Sequence, residues 1–260
     1  MDIKTLVPSR EQILFMLYEA AELEHSLMCT YLYAAFSLKS GVAEEITERQ
    51  AEAVTRWRRT IINVAVDEMG HLVAVWNITC ALGGTPHFWR DNFPTGAGRL
   101  PAGVVVKLAP FNEAALQHFI HLERPANSDE PDGEGFAPER RFVRGANKAR
   151  LTPMTIDYET VGEFYETLGK NLEAFASHHG DEKAFCGDRH LQMSPAEIDL
   201  TGAQTVVNLK TALAAIKAIV EQGEGAPANV EGSHFQKFIS VRSELAQLKA
   251  EDPNFKSAFP

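Results

Sequence analysis

Residues Ile61 to Ile78 read IINVAVDEMGHLVAVWNI, and the order of apolar and polar residues in this stretch decides the fold class. Ile61, Val64, Val75 and Ile78 recur at spacings of three and four, the signature of one buried face of an α-helix. The same face carries Glu68 and His71 at its centre. An i, i+3 pair projects from one side of a helix, so both polar groups point where the core must lie. A carboxylate and an imidazole are costly to bury unless they are paired or bind a metal.

Outward from this stretch the chain predicts long helices joined by irregular segments. The first runs from about 9 to 40, with Ser9 and Gln12 in capping-box order and Gly41 as its stop. The helix holding Glu68 spans about 43–82 and ends at Gly83-Gly84. A third covers about 155–180. The fourth covers about 203–222 and, after a break at Gly223 and Gly225, continues over 233–249. Between the pairs lie a Pro- and Gly-rich stretch with the β-like run Val104-Val105-Val106, a short helix over 112–123, and a long polar loop over 124–153. The expectation is an all-α four-helix bundle with a long crossover, loop insertions and an extra C-terminal helix, in one domain over 1–260.

Composition narrows the function classes. Of 260 residues 25 are Lys or Arg and 35 are Asp or Glu, a formal net charge of −10 that repels phosphate backbones and argues against nucleic-acid binding. No run of eighteen apolar residues is available to span a membrane. The N-terminus lacks a signal-peptide core, and Cys29, Cys80 and Cys186 are odd in number and widely spaced. A cytoplasmic protein with reduced thiols is expected.

Glu-x-x-His occurs three times, at Glu22/His25, Glu68/His71 and Glu231/His234. With 25 Glu and 9 His in 260 residues, about one such pair arises by chance, so position on the helix separates them. Glu24 interrupts the apolar series Leu14, Leu17, Ala21, Met28, Tyr31 of the first helix as Glu68 interrupts the second. Glu22 and His25 lie on a neighbouring apolar stripe with Phe15, Tyr18, Cys29 and Leu32 and rival it. Bundles of this kind hold two metal ions with a Glu from each of two helices and a Glu-x-x-His pair from each of the others.

Glu24 followed by Tyr31, then Asp67-Glu68-Met69-Gly70-His71, resembles the first half of a ferritin-like protein. Thr160-Val161-Gly162-Glu163-Phe164-Tyr165 and Gln222-Gly223-Glu224-Gly225 with Ser233-His234-Phe235 resemble the ferritin-like domain family named for iminophenyl-pyruvate dimer synthase, as does Tyr31-Leu32-Tyr33-Ala34-Ala35. The resemblance covers roughly residues 10–245. It implies a metal shell of Glu24, Glu68, His71, Glu163, Glu224 and His234 around two divalent ions, iron in the first instance. Glu224 continues the buried stripe of Leu209, Leu213, Ile216 and Val220, whereas its rival Glu221 shares a face with Lys210 and Lys217. Glu231 is a second rival, as the partner of His234 in Glu-x-x-His. Periodicity places Glu163 opposite the apolar stripe of its helix, with Glu166 as the fallback. Asp67 and Tyr31 are candidates to hydrogen-bond the ligands.

The resemblance further implies a non-haem dimetal oxidoreductase that uses dioxygen or peroxide on a small organic substrate, with oxidative coupling of amino-acid-derived imines in secondary metabolism as the named activity. No glycine fingerprint for a nucleotide is present, so electrons come from the substrate or from a separate reductase. The segments 84–111 and 124–153 are expected to form the substrate mouth. An iron-binding or iron-detoxifying protein without an organic substrate and a metal-free helical interaction domain are the alternatives. The sequence leaves the oligomeric state open.

Overall fold

The computed structural model describes residues 7–96, 98–126, 128–137, 158–223 and 230–260. Among these are seven α-helices and no strands: α1 Arg10–Ser37, α2 Glu48–Ala81, α3 Glu113–Leu122, α4 Val161–His179, α5 Asp181–Ala184, α6 Leu209–Gln222 and α7 His234–Glu251. The all-α expectation holds. The run at Val104–Val106 forms no strand; Val106 instead exchanges bonds with Thr95, whose N–H donates to the Val106 carbonyl at 2.8 Å and whose hydroxyl accepts from Val106 N–H at 2.7 Å.

Local sequence sets the helix starts. Ser9 with Gln12 and Thr47 with Gln50 form complete capping boxes for α1 and α2, satisfying amides that have no partner inside the helix. The end of α1 falls earlier than Gly41. Leu38 turns extended, and the N–H of Lys39 donates to the Ser257 carbonyl at 2.9 Å, so tertiary pairing with the C-terminus stops the helix.

The pairing of helices differs from a simple count of four. α1 packs along α2, and each long helix is covered by two shorter ones laid end to end. On α1, Tyr31 meets Phe119 of α3 at 4.8 Å between ring centroids, while Asn171 of α4 donates to the Met16 sulfur at 3.2 Å. On α2, Trp57 donates to Glu244 of α7 at 2.6 Å, and His71 meets Gln222 of α6 at 3.1 Å. Thus α3 and α4 divide one bundle position, as α6 and α7 divide another. The expected short helix at 112–123 is therefore a bundle element. Gln117 and His118 tie it to the segment 128–137, through Glu130 at 3.1 Å and Asp132 at 2.6 Å. Both broken positions have their breaks at the level where Glu24 and Glu68 face one another.

Candidate metal centre

Five side chains meet there: Glu24 from α1, Glu68 and His71 from α2, Glu123 from the C-terminal cap of α3, and His234 from the first residue of α7. Each is exposed by 2% or less. They form two groups, Glu24–Glu68–His71 and Glu68–Glu123–His234, which share Glu68. His71 Nδ1 lies 2.8 Å from Glu68 Oε2 and 3.5 Å from Glu24 Oε2. His234 Nδ1 lies 3.0 Å from Glu68 Oε1 and 3.4 Å from Glu123 Oε2. Each oxygen of Glu68 thus faces one imidazole and one further carboxylate.

The outer atoms repeat this twofold pattern. Tyr165 donates its hydroxyl to Glu24 Oε1, and Tyr31 donates to Glu123 Oε1. His71 Nε2 is 3.1 Å from Gln222 Oε1, and His234 Nε2 is 3.1 Å from Asp67 Oδ2. With acceptors at both Nε2 atoms, a neutral ring would keep its proton there and turn its Nδ1 lone pair inward, as metal binding requires. The inward atoms are left over: Glu24 Oε2, Glu68 Oε1, Glu123 Oε2 and His234 Nδ1 are buried with no hydrogen-bond partner. Unpaired buried acceptors are rare because each forfeits its hydration. Three of them meet in the Glu68–Glu123–His234 group and Glu24 Oε2 belongs to the other, where His71 Nδ1 pairs with Glu68 Oε2; carboxylate with imidazole is a donor set that iron, manganese and zinc accept.

Without cations, protons stand in for them. Burial pushes the Glu24 carboxyl up to about 8, against the pull of His71. Burial opposes charge on His71 and His234, yet Glu68 with Glu24 raises the first well above the ordinary imidazole value, and Glu123 with Glu68 raises the second. Burial also works against ionised Glu68, but the charges of the two imidazoles outweigh it and hold that carboxyl below its ordinary value. Metal binding must displace these protons.

Of the residues expected from sequence, the structure brings together Glu24, Glu68, His71 and His234. Glu163 is placed elsewhere. It lies exposed in the first turn of α4, where its carboxylate accepts from the N–H of Glu159 at 2.8 Å. The stripe of Val161, Phe164, Tyr165, Leu168 and Leu172 faces the core, as periodicity indicated, and turns Glu163 outward. Its fallback Glu166 is also exposed, 3.7 Å from Lys170. Glu123 occupies the place expected of Glu163. The signal for it was available: Leu116, Phe119, Ile120 and Glu123 continue one helical face, so a carboxylate interrupts an apolar stripe here too. Glu224 lies outside the described residues. Its rivals do not approach the centre, since Glu221 is exposed 3.5 Å from Lys217 and Glu231 is exposed before α7 begins. Glu22 bonds to His87 at 2.8 Å and takes no part.

A cavity of about 320 Å³ adjoins the Glu24–His71 side, bounded by His71 and Ala74 of α2, Ala215, Ala218 and Gln222 of α6, and the segment 201–205. Its wall depends on a close approach. A Cβ on Gly202 would fall 1.6 Å from the Gly70 carbonyl oxygen, so only glycine lets this segment lie against α2. Residues 138–153, a large part of the segments 84–111 and 124–153 expected to form the mouth, lie outside the described residues. Among the described residues the cavity belongs to α2, α6 and 201–205, while 128–137 packs on α3. No described helix is long and apolar enough to cross a membrane.

Comparison with known proteins identifies the family and the fold. A model of the ferritin-like family matches residues 17–243. The chain is 25% identical over 270 residues to dichlorochromopyrrolate synthase of Lentzea aerocolonigenes, covering 93% of this chain and 25% of that protein. It is 26% identical over 281 residues to 2-imino-3-(indol-3-yl)propanoate dimerase of Chromobacterium violaceum, covering 98% and 25%. The chain thus spans about a quarter of the length of these relatives. A crystal structure of a ferritin-like protein from Caulobacter vibrioides has the same fold, with a TM-score of 0.61 at 21% identity over 97% of this chain and 76% of that one.

Proposed function

The chain belongs to the ferritin-like family, and on that premise we propose that it is a non-haem di-iron oxidoreductase that uses dioxygen or peroxide on a small organic molecule, an amino-acid-derived imine or a near relative. The observation that carries this reading is the sharing of buried Glu68 by two Glu–Glu–His groups, with Glu24 Oε2, Glu68 Oε1, Glu123 Oε2 and His234 Nδ1 left without hydrogen-bond partners. Iron bound there supplies redox chemistry that no protein side chain provides.

The chain's own residues have distinct tasks in this reading. Glu68 would be shared by the two ions, Glu24 with His71 would hold one, and Glu123 with His234 would hold the other. Tyr165 and Tyr31 hold the terminal carboxylates by their outer oxygens, so that one oxygen of each stays aimed inward. Three carboxylates against two divalent cations leave one net positive charge. Glu224, the residue after Gly223, is proposed as a fourth carboxylate that brings the centre to neutrality, which lowers the cost of burial. The cavity beside His71 gives an organic molecule access to one side of the centre and supports oxidation of a substrate over iron storage. The names of the two relatives support an imine-type substrate.

The test is anaerobic loading with Fe(II), followed by exposure to dioxygen with candidate imines. Two irons per chain and a new organic product are expected. Failure to retain metal, or iron accumulating in large shells with no product, refutes the reading.

A further inference from the structure

The walls of the cavity say what kind of molecule fits it. Its lining includes Thr201, Gln204, Thr205, Thr211 and Gln222 among alanines and Ile219, and no Asp, Glu, Lys or Arg among the described residues. In a chain that is 23% charged, this is a distinct surface. A free carboxylate entering it would shed hydration with no cationic side chain among the described lining residues to offset the loss. Uncharged groups lose less and find hydroxyl and amide partners.

Gln222 sets the polarity at the inner end. Its Oε1 accepts from His71 Nε2 at 3.1 Å, which orients the other end of the amide as a donor. No described group accepts from that NH2, and Gln222 lines the cavity. A neutral donor beside the Glu24–His71 site suits a neutral acceptor such as a carbonyl oxygen.

We propose that this cavity selects a small, uncharged, mainly apolar molecule bearing a carbonyl-type acceptor, and that Gln222 reads the acceptor while positioning His71. The inference rests on the proposed organic-substrate reading and narrows it from imino acids in general to derivatives without a free carboxylate, such as amides.

The experiment measures binding by calorimetry, on the metal-loaded protein, of indole-3-acetamide and indole-3-acetate, which share a ring and differ in charge. The amide is expected to bind at least tenfold more tightly than the acetate. Ala218→Leu, which fills the cavity from α6, is expected to lose amide binding at least tenfold while keeping two metal ions per chain. Gln222→Met removes the donor and should bring the amide within threefold of the acetate. Equal or tighter binding of the acetate to the unaltered protein overturns the proposal, as does undiminished amide binding by Ala218→Leu or no binding of either probe. Metal content is read separately. A protein that holds no metal yet prefers the amide overturns the di-iron reading and leaves the cavity assignment standing. Two bound metals without the preference do the reverse.

Discussion

Gly223→Ala tests the geometry of the centre with one methyl group. Gly223 caps α6 at φ −124° and ψ −89°, and a side chain there would point into the centre. A Cβ at this position would lie 2.8 Å from His234 Nδ1 and 3.2 Å from Glu123 Oε2. Non-bonded carbon contacts settle near ~3.5 Å, so the imidazole must retreat by roughly 0.7 Å. Ligand distances tolerate only about 0.2 Å before a metal site fails. The Glu123–His234 site should therefore lose its ion while the Glu24–His71 site keeps one. Overpacking of this kind costs about 1–3 kcal/mol, a fall of a few degrees in melting temperature for a chain of this size. Gly169→Ala is the matched control. Its Cβ would meet Leu213 Cδ2 at 3.6 Å, an ordinary contact inside α4, and alanine gains roughly 1 kcal/mol of helix propensity. Metal per chain by mass spectrometry after loading, with thermal unfolding alongside, should give one ion and lower stability for Gly223→Ala, and two ions with equal or higher stability for Gly169→Ala. Two tightly held ions in Gly223→Ala would refute the placement of His234 and Glu123 around a shared site.

Four further outcomes follow from the same geometry. Glu123→Gln should reduce bound metal from two ions to one and Glu163→Gln should leave two, because only the former reaches the centre; the opposite result in metal titration restores the ligand set implied by the resemblance. Tyr165→Phe frees Glu24 Oε1 and should weaken metal affinity about 10–100-fold in chelator competition, with unchanged affinity counting against the role given to that hydroxyl. In chelator-treated protein Glu24 titrates at about 8 instead of 4.5, and His71 and His234 well above 6.5, which outweighs the lowered His25 and His121 once pH exceeds the ordinary imidazole value, so the folded state binds more protons than the unfolded one between about pH 7 and 8. Stability should fall as pH rises through that window, and a melting temperature that is flat or rising would contradict it. Glu224→Gln should weaken metal binding more than Glu221→Gln, whose carboxylate is exposed beside Lys217, and a larger loss at Glu221 reverses the choice.

The sequence by itself determined the long helices and three of the five side chains at the centre. Capping boxes at Ser9 and Thr47 act through neighbours three residues away, and burial of one helical face imposes a period visible in one dimension. Glu24, Glu68 and His71 stand out because they break that period on long helices. The same logic had already turned Glu163 outward, and the structure agrees with periodicity over the ligand set implied by family resemblance. Glu123 obeyed the rule too, but on a helix of ten residues that reads as part of an insertion. Only the tertiary structure shows that α3 and α4 divide one position in the bundle and α6 and α7 another, which brings the end of α3 and the start of α7 to the level of Glu68. The cavity was beyond the sequence for a related reason. It exists because Gly202 meets Gly70 across more than a hundred residues, and such contacts are set by how finished elements pack, not by any local pattern.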